Sequence, residues 1–178
     1  RDYYWMVPAM LLAIVFIALM ASVYQYSSEN KKIYSIIGLA LAVISGVLLL
    51  ADYYIQLAVI QPSLVNGETD GIAILTQYNP HGVFIALEEI GYIIMSLAML
   101  FILPVFSGPG KLKGSIRRTI LIAFILLVVS FVFLSFKFGI QREYRFEVAA
   151  ITIVYLELII SGCLLTFLFR NQPAINES

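Results

Sequence analysis

Long apolar stretches at about 3–26, 33–60, 80–106, 116–136 and 146–169 alternate with short polar connections. Runs of this length match a hydrocarbon layer ~30 Å thick at the ~1.5 Å rise per residue of an α-helix. The pattern predicts an all-α fold, a polytopic integral membrane protein built as a bundle of about five transmembrane helices in one domain, 1–178. Tyr3, Tyr4 and Trp5 open the first run and Tyr24 and Tyr26 close it, as aromatic belts do at membrane interfaces. Gln61 and Pro62 are expected to end the second run.

The longest connection, 61–79, carries Glu68 and Asp70 but no Lys or Arg. It reads as an acidic extracytoplasmic loop with a helical turn within 72–78. Asn79 followed by Pro80 predicts an N-cap and first turn for the third span, and Pro104 is expected to kink or end that span. The first and fourth runs, with few polar side chains, read as lipid-facing walls.

Composition sharpens this picture by exclusion. With 61% hydrophobic and 12% charged residues, the chain is too apolar for an ordinary soluble domain. Eleven basic and eleven acidic residues cancel, and no basic block is dense enough for a nucleic-acid backbone, so membrane lipids are expected partners and nucleic acid is not. The single cysteine, Cys163, rules out an intrachain disulfide. Lys31, Lys32, Lys111, Lys113, Arg117, Arg118 and Arg170 fall on one side, and Arg1, Lys137, Arg142 and Arg145 on the other. The positive-inside bias then puts the C-terminus in the cytoplasm and 61–79 outside, compatible with a prokaryotic cytoplasmic membrane. The chain opens at Arg1, and a sixth helix ahead of it would place both termini in the cytoplasm.

Four carboxylates interrupt the apolar runs: Asp52, Glu88, Glu89 and Glu157. Each costs ~2.5–3.5 kcal/mol at a helix centre, so their presence needs a reason. Helical spacing gives them polar company: Asp52 with Gln56, Glu88 and Glu89 with Tyr92, Glu157 with Ser161. The second, third and fifth spans thus carry polar stripes that are expected to face one another around an outward-opening pocket, roofed by Gln77, Asn79 and His81. Acids gathered in a low dielectric cannot all ionise, so one or more is expected to hold a proton. The alternative is that they fasten helices together, with one paired to Lys137 or Arg145. His81, the single histidine, makes a metal site only if the acids supply the remaining ligands.

No zinc-helix, phosphate-loop, nucleophile-elbow or di-iron motif is present, so no residue is assigned a catalytic role, and the sequence leaves cofactor and metal open. The expected function is that of a transporter-like or sensor module binding a cation or small organic ligand in the carboxylate pocket. Five helices are few for transport, which points to a homo-oligomer. Two other readings compete: an intramembrane lipid- or isoprenoid-modifying enzyme using Glu88 or Glu157 as acid or base, and a structural accessory subunit of a membrane complex.

Overall fold

The computed structural model describes residues 3–171, apart from the Glu143 side chain, so Arg1 of the charge count lies outside the described residues. All regular elements among them are helical: α1 (Met6–Tyr26), α2 (Lys32–Ile55), α3 (Gln61–Val65), α4 (Val83–Phe101), α5 (Lys111–Phe138) and α6 (Glu143–Arg170). Five helical stretches are long and apolar enough to cross a membrane: Met6–Tyr26, Glu29–Val65, Val83–Phe106, Lys111–Gln141 and Tyr144–Arg170.

Three boundaries differ from the sequence expectation. Pro62 does not end the second stretch, because a π-helical turn at Gln56–Ile60 widens the backbone ahead of it and the chain continues helical to Val65. A wide turn relieves the clash and missing donor that make proline a helix breaker. At the third stretch, the helix starts at Val83 rather than Pro80. Asn79 instead closes a tight turn, its Oδ1 accepting from the His81 N–H and its Nδ2 donating to the Ala73 carbonyl. Gly82 is then the N-cap, where a Cβ would lie 2.8 Å from the Ile74 carbonyl oxygen, so the loop folds back onto the helix start. The fourth helix runs from Lys111 to Phe138, longer at its basic end than the apolar run alone. Pro104 acts as expected, with α4 ending at Phe101 and a 3-10 turn at Leu103–Phe106.

Packing follows stripes spaced three and four residues apart. In α2 the buried stripe includes Ser35, Gly38, Ala42, Ser45 and Asp52, small and polar residues that let α4 approach closely, and Leu49, which packs against Gly91 of α4. Ser45 Oγ donates to the Gly91 carbonyl across that interface at 2.7 Å. A Cβ on Gly38 would meet the Ala98 carbonyl oxygen at 3.0 Å and Ile102 Cγ2 at 2.8 Å. The principal contacts run α1 on α2, α2 on α4, α4 on α6 and α6 on α5, so α4 lies between the two other acid-bearing helices. α1 is not wholly outward, since Met6, Ala9, Ala13, Phe16, Met20 and Val23 form a buried stripe. α5 buries only Ile116, Ile120, Ala123 and Leu127, all in its first two-thirds.

Candidate functional site

The polar centre sits at the end of the bundle that carries the 66–82 connection. Asp52 and Tyr53 come from the last turn of α2, Glu88 and Tyr92 from α4, and Glu147 and Tyr155 from α6. Because α4 begins at Val83, Glu88 is five residues in, about 8 Å along the axis. Asp52 is 3%, Glu88 0% and Glu147 6% exposed.

The Tyr53 hydroxyl donates to Glu88 Oε1 in a short hydrogen bond. Tyr53 and Tyr92 hydroxyls are 2.9 Å apart, and Tyr92 and Tyr155 hydroxyls are also 2.9 Å apart. Three phenols from three helices therefore form one chain ending on a carboxyl group. The Glu147 carboxyl is close enough to Glu88 for the two acids to interact. Oε2 of each of these glutamates, like Oδ2 of Asp52, is buried without a donor. Asp52 is within electrostatic reach of both glutamates.

Glu89 faces a different partner. Arg142, the residue before α6, donates from Nη1 to Glu89 Oε1 at 2.9 Å, and its guanidinium lies 4.4 Å from the centre of the Phe131 ring. An acid paired to a basic residue was expected, but with Lys137 or Arg145. Those two instead lie over aromatic rings of α5, Lys137 on Phe138 and Arg145 on the same ring from the opposite element. The α6 N-terminus sets this choice, since it brings Arg142 alone against α4.

The other sequence candidates separate from this cluster. Gln56 is buried and bound to the connection: its Nε2 donates to the Leu75 carbonyl at 2.6 Å, and its Oε1 accepts from the Gln77 N–H at 3.3 Å. Gln56 and Gln77 thus strap the loop over the π-turn, while His81 is exposed. Glu157, 2% exposed, lies ten residues beyond Glu147, about 15 Å along α6. It lies near Ser96 of α4, whose Oγ is likewise buried without a hydrogen-bond partner, and away from the other acids. Both its oxygens are buried without a donor, and it borders a cavity of about 260 Å³ between α5 and α6. The single outward-opening pocket expected from the sequence is divided into a packed cluster and a second, isolated acid.

Glu147 is the member that sequence reasoning missed, because it stands one residue inside the apolar run beginning at Phe146 and reads as a boundary charge. Its signal was helical: Glu147, Ala150, Val154, Glu157, Ser161 and Leu165 repeat at three and four, and all are buried. Tyr53 and Tyr155 read from the sequence as packing or belt residues, and only the hydroxyl chain distinguishes them.

Among the described residues, no group of three or more His, Cys, Asp and Glu side chains has the arrangement to hold a metal ion. Comparison with protein-family models, with curated proteins and with solved structures found no match.

Proposed function

We propose that the chain is a non-enzymatic integral membrane protein, transporter-like or sensor, whose carboxyl–tyrosine cluster takes up a cation, the proton foremost, or a small cationic organic ligand. In this reading five helices cross the bilayer, with the 66–82 connection outside and the two basic connections in the cytoplasm. The observation that carries it is the meeting of Asp52, Glu88 and Glu147 from three helices with, among the described residues, no basic side chain hydrogen-bonded to any of them. Buried carboxyls without counter-ions are stable only if positive charge is supplied. A proton shared by Glu88 and Glu147 supplies it and gives their unpartnered oxygens a donor. Gln56 stands in the π-turn and holds the strap over this end of the bundle, and π-turns recur at functional sites.

A thermal-shift screen of monovalent ions and small amines, run at several pH values in detergent, tests this reading. The wild type is expected to be stabilised by protonation or by one class of cation, and Glu88→Gln and Glu147→Gln are expected to lose that response while keeping their helical content. Stability that is indifferent to pH and to every cation in the screen would sink the proposal.

A further inference from the structure

α1 and α6 touch at one end, where the Tyr26 and Phe169 ring centres are 5.4 Å apart. Between them opens a cavity of about 510 Å³. Pro8, Ala9 and Leu12 of α1 and Leu158 and Ile159 of α6 give it apolar walls, and Trp5 and Tyr155 close the end nearest the acids. The Trp5 ring also packs edge-on against Tyr53 at 5.5 Å, so the tyrosine chain lies directly behind this wall. The volume is that of an ordinary small-molecule site, and it faces outward from the bundle, toward lipid in the membrane reading.

The hydroxyl chain determines what the cavity offers a ligand. Each phenol has one proton to donate. Tyr53 uses its proton on Glu88, so Tyr92 must donate to Tyr53, and Tyr155 must donate to Tyr92. Tyr155 is left with a lone pair and no proton for a ligand.

We propose that the cavity between α1 and α6 binds a lipid-soluble molecule with an apolar body and a single hydrogen-bond-donating head, an alcohol or an amine, whose head donates to the Tyr155 hydroxyl oxygen. A ketone, an aldehyde or a bare acyl chain has no proton for that oxygen. The cavity and the direction of the head's hydrogen bond are independent of what the carboxyl cluster takes up, because the direction follows from Glu88 accepting from Tyr53.

Trp5 is the sole tryptophan and stands in the cavity wall, so its emission reports occupancy directly. The experiment uses the full chain in lipid nanodiscs, titrated with farnesol, farnesylamine, farnesal and the hydrocarbon farnesane. The alcohol and the amine are expected to bind about tenfold more tightly than the aldehyde and the hydrocarbon, the worth of one hydrogen bond to a buried group. Tyr155→Phe should erase that preference and leave the weak hydrocarbon binding unchanged. Leu12→Phe, which fills the cavity from the opposite wall, should weaken all four probes. Equal binding of farnesol and farnesane would show a lipid-tail crevice and overturn the proposal. Preference for farnesal would overturn the donor assignment, and retained selectivity in Tyr155→Phe would remove the residue from the site. If the thermal-shift response to cations fails while farnesol selectivity survives, the carboxyl reading falls and the cavity stands.

Discussion

α4 and α5 are both long, apolar helices, yet they stand in opposite relations to the rest of the molecule. α4 is gripped on two sides, by α2 and α6, and its buried stripe runs its whole length through Glu88, Gly91, Tyr92, Met95, Ser96 and Met99. α5 leans chiefly on α6, and beyond Leu127 it turns Val128, Val129, Val132 and Phe133 outward. The helix with the more apolar central stretch, mean hydropathy 2.9 against 2.1, is the more exposed one. In a lipid-like solvent apolarity does not distinguish inside from outside, and close approach through small residues and interhelical hydrogen bonds does. The small and polar residues of α2 and α4 are therefore the inward label, and the Leu, Val and Phe of α5 the outward one.

The contrast can be broken most forcefully at the α2–α4 contact. Gly38→Val would push a branched side chain against the Ala98 carbonyl and Ile102, and is expected to destabilise the protein by ~3 kcal/mol, measured by SDS titration of the purified chain. Arg142→Ala comes next, since it leaves the Glu89 carboxylate half-buried without its partner; a loss of ~2 kcal/mol is expected, largely restored by the double change with Glu89→Gln. A smaller effect is expected from Ser45→Ala, which removes one hydrogen bond across the interface and should cost ~0.6 kcal/mol in the same assay. Val129→Ala on the outward face of α5 should stay within ~0.5 kcal/mol. If that change proved as costly as Gly38→Val, α5 would have a partner on that face, and the contrast drawn above would fail.

Much of the candidate site was legible because a charge in an apolar run is conspicuous wherever it falls. Asp52, Glu88, Glu89 and Glu157 were visible for that reason, and their helical spacing assigned them to inward stripes. Glu147 was not, since a carboxylate at the end of a run looks like an ordinary interfacial charge until the α6 stripe is followed back through Ala150. The choice of Arg142 over Arg145 as the partner of Glu89 depended on where α6 begins, and a helix start is set by capping and packing over a few residues. The hydroxyl chain was harder still to foresee, because Tyr53, Tyr92 and Tyr155 lie far apart in the chain and tyrosine is a common residue near membrane interfaces.

From the sequence alone came the number of long apolar helices and the four conspicuous acids. These follow from local properties, the length of a run and the cost of a charge within it. The tertiary structure decided which acids meet. It placed Glu147 against Glu88, sent Glu157 to Ser96, spent Gln56 on the loop and tied three tyrosines into one chain. Those outcomes depend on helix rotation and on spacings of a few ångströms between distant segments, and no local pattern encodes them.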